Sequence, residues 1–261
     1  MKIALVSLNQ VWQDKTVNQR NCAYFIQKAS ELESDLIVFP EMTLTGFSMD
    51  TRLIEENQED SQTVDFFRNL AKSKHISIAF GVVFAKGNKA TNNMVLVNNE
   101  GEVLASYSKI HPFSFSGENN YYSGGDKLCS CEIADANIGL SICYDLRFPE
   151  IFQYMSRNCN LILTIANWPE KRIRHWNVLL QARSIENQCF MIGVNRTGID
   201  GNNLSYIKSS VVFDPIGEQL TPLHTIQEMD IYNIQPSNSL SVRELFPLKN
   251  DRRTDLYKAL L

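Results

Sequence analysis

The sequence predicts an α/β fold, a mixed sheet covered by helices. Three observations carry that prediction: short apolar runs bounded by turn residues, segments of helical period between them, and hairpin signals interleaved with both. Strands alternating with helices ask for parallel pairing, whereas hairpins ask for antiparallel pairing, so a mixed sheet accommodates both. The 261 residues are 44% hydrophobic and 21% charged, with 12 Gly and 8 Pro. Such values suit a globular chain and exclude disorder and collagen-like repeats. No linker or shift in composition divides the chain, so a single domain over 1–261 is expected, with a C-terminal arm over about 238–261.

Residues 2–8 (KIALVSL) read as a buried strand, and 15–33 as a helix with Val17, Cys22, Phe25, Ile26 and Ala29 at helical spacing. Residues 35–39 form a second strand stopped by Pro40, and 60–74 a helix with Val64, Phe67 and Leu70 on one face. Strands are expected at 76–84, 93–98 and 102–108, the last two joined through Asn98-Asn99-Glu100-Gly101, residue types that tolerate positive φ. Residues 110–126 lack periodicity and read as a long ordered loop. Strands resume at 128–133 and 137–142, then a helix at 149–157, a strand at 161–166 and a helix at 172–187. The remaining strands are placed at 189–194, 207–213, 219–223 and 227–233, and the tail from Asn238 as one helix followed by an extended arm.

The charge balance is 25 Lys plus Arg against 29 Asp plus Glu, a net −4. That balance gives no footprint for nucleic acid or for an anionic membrane surface. The densest basic stretch, Lys171 to His175, runs into an amphipathic helix and reads as its solvated start. Met1 to Gln10 lacks a signal-peptide pattern, and no apolar run reaches the roughly 20 residues of a membrane span. A cytoplasmic protein is therefore expected. Its six irregularly spaced cysteines read as free thiols. Cys129-Ser-Cys131 has no second pair or nearby His to complete a zinc site, so no metal and no cofactor are expected.

Chemistry in α/β sheets gathers just past the carboxyl ends of strands. Three such positions here carry reactive groups: Glu41, Lys109 and Cys143. Cys143 follows the apolar run IGLSI and precedes a helix, an order similar to an elbow that lifts a nucleophile above a sheet. A base and a cation nearby would activate its thiol, and Glu41 and Lys109 are the candidates. Taken singly, each has an ordinary explanation: a small core thiol, a helix cap and a solvated lysine.

Together with their flanks they carry more. FPEMTLTGF, YSKIHPF and SICYDLRFPE, in this order, resemble the nitrilase (carbon–nitrogen hydrolase) superfamily. Ala166 to Pro169, His175-Trp176, Gln181 to Asn187, Gly193 to Arg196 and Asp200 to Asn202 extend the likeness over nearly the whole chain. The resemblance implies an αββα sandwich, a homodimer, and a triad of Glu41 as general base, Lys109 as oxyanion stabiliser and Cys143 as nucleophile. It also matches Glu118 to a supporting second glutamate, and places the Tyr144 backbone N–H beside the oxyanion. The wording ICYDLRFPE, ANWP, ARSIENQ and GVNRTGIDGN is similar to the omega-amidase branch, including 2-oxoglutaramate amidases.

A small-molecule amide bearing a remote carboxylate is then the expected substrate, and it needs a cation at that distance. Arg147 is one candidate, with a structural ion pair to Asp145 or Glu150 as its alternative. Asn167 and Trp168 are expected on the pocket wall, and Tyr121, Tyr122 or Phe115 as closing residues. His111 and His175 read as packing groups or as supports behind the residues that touch substrate. The alternatives are an N-carbamoyl amino acid or deaminated glutathione hydrolase of the same superfamily, or a non-enzymatic module that retains the fold.

Overall fold

The computed structural model describes residues 1–260. Its strands are β1 (Lys2–Val6), β2 (Leu36–Val38), β3 (Ser77–Lys86), β4 (Lys89–Val97), β5 (Val103–Ser108), β6 (Ser130–Ile133) and β7 (Ala136–Ile142). They continue as β8 (Leu161–Ala166), β9 (Phe190–Asn195), β10 (Gly198–Ile199), β11 (Ser205–Tyr206), β12 (Val211–Phe213), β13 (His224–Ile226) and β14 (Met229–Asn233). The helices are α1 (Lys15–Glu31), α2 (Thr51–Ile54), α3 (Gln62–Lys74), α4 (Glu118–Tyr121), α5 (Pro149–Met155), α6 (Ile173–Asn187), α7 (Asn238–Leu245) and α8 (Thr254–Leu260).

Two mixed sheets result, one ordered β13-β14-β1-β2-β3-β4-β5 and the other β12-β9-β8-β7-β6, beside a two-stranded β10-β11 ribbon. Side chains alternate across each strand. In β1, Ile3 and Leu5 face the second sheet, and Ala4 and Val6 face the helices. The inner layer joins Ile3, Leu36, Leu96 and Tyr107 of the first sheet to Leu140, Leu163 and Ile192 of the second. The first sheet's outer face packs on α1 and α3 through Phe25, Ile26, Phe67 and Ala71. The second packs on α5 and α6 through Phe152, Met155, Trp176 and Leu180. Each fully buried large apolar side chain contributes roughly 1.5–3 kcal/mol. The architecture is thus the αββα sandwich, with mixed sheets covered by helices.

Strand directions decide where the reactive residues emerge. β2 runs parallel to β3, and two antiparallel steps through β4 return β5 to the same direction. The carboxyl ends of β2 and β5, just before Glu41 and Lys109, therefore lie at one edge. Parallel β7 and β8 likewise present Cys143 and Asn167 together.

Three expectations need correction. The 219–223 segment forms no strand beyond a bridge from Gln219 to Phe213, and the neighbouring strand is β13. The 207–213 run contributes only β12, because Ser205 and Tyr206 pair with Ile199 and Gly198 in the ribbon. The arm after α7 is not extended: a 3-10 turn at Leu248–Asp251 and α8 follow, consistent with the good helix formers Leu256, Lys258 and Ala259. The 110–126 loop also holds a 3-10 turn at Ser114–Ser116 and α4, between which Gly117 takes a φ of +78°.

Candidate active site

Glu41 is held by the turn after β2, whose backbone lies directly on β3. Gly81 makes this approach possible, since a Cβ there would sit 2.2 Å from the Met42 nitrogen. The turn is pinned by the Gly81 N–H donating to Thr43 Oγ1 at 2.8 Å and by Gln10 Nε2 donating to the Glu41 carbonyl at 2.9 Å. Met42 takes a φ of +48°, a conformation that costs energy for a residue with a side chain.

Cys143 also has a φ of +48°. It opens the 3-10 turn Cys143–Arg147 between β7 and α5, the strained elbow its neighbours in sequence suggested. Asp145, fully buried, holds that turn. Its carboxylate accepts from the Ile142 N–H at 3.1 Å, the Tyr107 hydroxyl at 2.7 Å and the His111 N–H at 3.0 Å, and it lies 2.8 Å from His111 Nδ1. Tyr107 and His111 flank Lys109, so one carboxylate ties the nucleophile's turn to the lysine's strand. The imidazole of His111 stacks on Phe148 with ring centres 3.8 Å apart.

Lys109 is 1% exposed and donates to Glu41 Oε1 at 2.9 Å and to both oxygens of Glu118 at 2.9 and 3.0 Å. Asn92 Nδ2 bridges the two acids, donating to Glu41 Oε1 at 2.7 Å and Glu118 Oε1 at 3.2 Å. Glu41 Oε2 accepts from the Asn167 N–H at 2.8 Å, and Glu118 Oε2 from the Phe113 N–H. Burial of Lys109 opposes its charge, yet Glu118 and then Glu41 outweigh it and hold the ammonium well above the usual lysine range. Burial pushes the Glu118 carboxyl up, against the pull of Lys109. The Cys143 thiol is raised well above its ordinary value, first by burial and then by Glu41, with Lys109 opposing. At rest the site holds one ammonium, two acids and a protonated thiol. A sulfur beside a hydrogen-bonded carboxylate and a fixed cation is equipped for attack on an electrophilic carbon.

Cys143 opens on a cleft walled by Phe47, Phe113, Trp168 and Tyr206. Tyr144, Arg147, Asn167 and Arg172 reach it as well. The ion-pair alternative for Arg147 is not realised: among the described residues it pairs with neither Asp145, which holds His111, nor Glu150. The Arg147 guanidinium instead lies 4.8 Å from the Trp168 ring centre and 3.4 Å from His175 Nδ1. Trp168 lines the cleft and donates from Nε1 to the Arg172 carbonyl at 2.8 Å. Asn167 lines it too; its Nδ2 donates to the Glu41 carbonyl at 2.6 Å, while its buried Oδ1 has no partner among the described residues.

The expected closing residues are corrected. Tyr122 is buried, with its hydroxyl donating to the Ser48 carbonyl. Tyr121 and Phe115 point to solvent, and Phe113 and Ser116 take their place at the cleft. Sequence reasoning missed Asn92, Asp145 as a clamp, Phe47 and Arg172. The polar triplet Thr91-Asn92-Asn93 inside an apolar strand was the available signal for the first. Among the described residues, no group of three or more His, Cys, Asp or Glu could hold a metal ion.

A family model described as carbon-nitrogen hydrolase matches residues 2–243. The chain is 33% identical over 257 residues to the omega-amidase YafV of Yersinia enterocolitica, covering 96% of each chain. It is 33% identical over 243 residues to the 2-oxoglutaramate amidase of Bacillus subtilis (strain 168), covering 92% of this chain and 93% of that one. Its structure is similar to XC1258 from Xanthomonas campestris, a CN-hydrolase superfamily protein with an arsenic adduct in its active site. The TM-score is 0.89 at 29% identity, over 97% of each chain. With this fold and these full-length likenesses, the chain belongs to the carbon–nitrogen hydrolase family.

Proposed function

We propose that the protein is an omega-amidase-type hydrolase, cleaving the terminal amide of short dicarboxylate monoamides such as 2-oxoglutaramate to the acid and ammonia. The observation that carries this reading is the thiol of Cys143, within electrostatic reach of Glu41 and Lys109 and lining a cleft that Arg147 and Arg172 share. The named activities of the full-length relatives support the choice of amide.

Glu41 takes the Cys143 proton as the sulfur attacks the amide carbon. This keeps the buried charge constant, because a neutral thiol and a carboxylate become a C–S bond and a carboxylic acid. Negative charge develops on the former carbonyl oxygen, where the Lys109 ammonium and the Tyr144 backbone N–H stabilise it. Fixed donors of this kind contribute about 3–4 kcal/mol each. Glu118 keeps Lys109 charged and aimed. Collapse of the adduct breaks the C–N bond, and Glu41 returns its proton so that ammonia leaves. A thioester remains. Glu41 then deprotonates a water that attacks the thioester, and the acid and the thiol are released.

Further proposals concern the molecule as a whole. The chain forms one domain, since one inner core spans both sheets. It works as a homodimer, for which the exposed apolar residues Val178 and Ile185 on α6, and Ile216 near them in the fold, supply a surface. A reducing, cytoplasmic setting fits six free cysteines. Among the described residues, no helix is long and apolar enough to cross a membrane.

The test is ammonia release from a panel of 2-oxoglutaramate, deaminated glutathione and N-carbamoyl amino acids, run on the parent and Cys143→Ala side by side. Preferred cleavage of 2-oxoglutaramate that vanishes in the variant is expected. Preference for another member of the panel would replace the substrate, and parental rates in Cys143→Ala would refute the mechanism.

A further inference from the structure

We infer that Arg172 is a specificity-determining residue that completes, with Arg147, a two-guanidinium clamp for the carboxylate end of the substrate. The inference rests on the proposed amide hydrolysis for its substrate, but the clamp itself is read from the cleft. Both arginines line the same cleft as the Cys143 sulfur. Both are half-buried, and among the described residues neither forms an ion pair with an acid of the protein. The two acids nearest the reacting sulfur, Glu41 and Glu118, are fully buried and already committed to Lys109.

Aromatic faces hold the two cations in place. Arg147 lies over Trp168 at 4.8 Å, and Arg172 over Phe113 at 5.4 Å. Stacking orients a guanidinium while leaving its N–H fork free. The wall that carries Arg172 is itself fixed, because Trp168 donates from Nε1 to the Arg172 carbonyl and from its backbone N–H to Asn195 Oδ1 at 2.7 Å. The Arg172 fork is free and that of Arg147 meets only His175 Nδ1, at 3.4 Å, so two guanidinium groups with no acid to quench them are suited to an anion presenting several oxygens. A carboxylate flanked by a 2-oxo group offers three. A plain aliphatic amide offers none at that end. The apolar side chains of Phe47, Phe113 and Trp168 in the same cleft suit the short methylene spacer of such a substrate.

The experiment compares parent, Arg172→Met and Arg172→Lys on two amides, 2-oxoglutaramate and the neutral pentanamide. Methionine keeps apolar contact with Phe113 while removing the fork, and lysine keeps the charge alone. The expected result is a fall of about 10–100-fold in the ratio of kcat/KM for 2-oxoglutaramate over pentanamide in Arg172→Met, carried by KM, with a smaller fall in Arg172→Lys. A second arm needs no turnover: 2-oxoglutarate should protect the Cys143 peptide from iodoacetamide at pH 9, and Arg172→Met should weaken that protection about 10–100-fold. An unchanged ratio with unchanged protection would overturn the role of Arg172. If the parent cleaves neither amide, the omega-amidase reading falls and the protection arm decides alone. Protection lost in Arg172→Met then upholds the clamp, whereas equal protection, or none in the parent, overturns it.

Discussion

Cys143 is protonated at rest because burial, and after it the charge of Glu41, raise its pKa well above the ordinary thiol value. Two consequences separate the general base from a mere neighbour. In Glu41→Gln one negative charge is gone, so the pH midpoint for alkylation of Cys143 should move down. Turnover should nevertheless fall roughly 10²–10⁴-fold, because the proton acceptor has gone as well. A midpoint that moves up would contradict the electrostatics. Lys109 has the opposite sign: Glu118 and Glu41 hold its ammonium above the usual range despite burial. The stability from this cluster is therefore fully present below the ordinary lysine pKa and is lost as pH rises through the higher folded value. Removing one acid in Glu118→Gln should shift the alkaline limb of the kcat/KM profile to lower pH. An alkaline limb that stays in place would remove Glu118 from the support of Lys109.

Elements deliver these side chains to one point, and two joints do most of the positioning. Asp145 connects the β7 elbow to both sides of Lys109. Asp145→Ala should cost on the order of 3 kcal/mol, since each buried donor left unpaired costs roughly 1–3 kcal/mol. Urea unfolding reads that loss, and kcat should fall with it even though Asp145 touches no substrate. Retention of both would show that the elbow holds its shape unaided. Gly81 is the second joint: in Gly81→Ala the added methyl meets the Met42 backbone at 2.2 Å. The Glu41 turn must lift from β3, so a lower melting temperature and lost turnover are expected, and a parental melting temperature would contradict the contact. The strands and main helices here were legible because apolar runs and helical periods are local signals. β4 begins at Lys89, four residues before its predicted start, because Asn92 and Asn93 interrupt the apolar alternation. Asn92 serves the site, whereas Asn93 ties Thr91 to Ser108. The Tyr107–Asp145–His111 clamp and the Arg172 contact were not legible, since both depend on pairing between segments distant in sequence.

For the whole molecule, periodicity pointed to mixed pairing but could not divide the strands between two sheets. Strands buried on both faces, such as β8, look alike in sequence whichever layer they join. The αββα layering came instead from the resemblance of the motifs around Glu41, Lys109 and Cys143, and the packed layers agree with it. The tail escaped for a different reason: a few helical turns after Pro247 carry too little periodicity to mark a helix. The proposed homodimer makes its own prediction at this scale, a light-scattering mass of twice the chain's 29.8 kDa. A strictly monomeric, active protein would remove it.

The central claim is that Glu41, Lys109 and Cys143 cleave an amide through an acyl-thioester. Acid quenching of a single turnover of 2-oxoglutaramate, followed by mass spectrometry of the peptides, tests it most directly. A 2-oxoglutaryl group on the Cys143 peptide, released by hydroxylamine and absent from the other cysteines, is the predicted result. Turnover with that thiol unmodified at every quench time, and no loss of rate in Cys143→Ala, would contradict it.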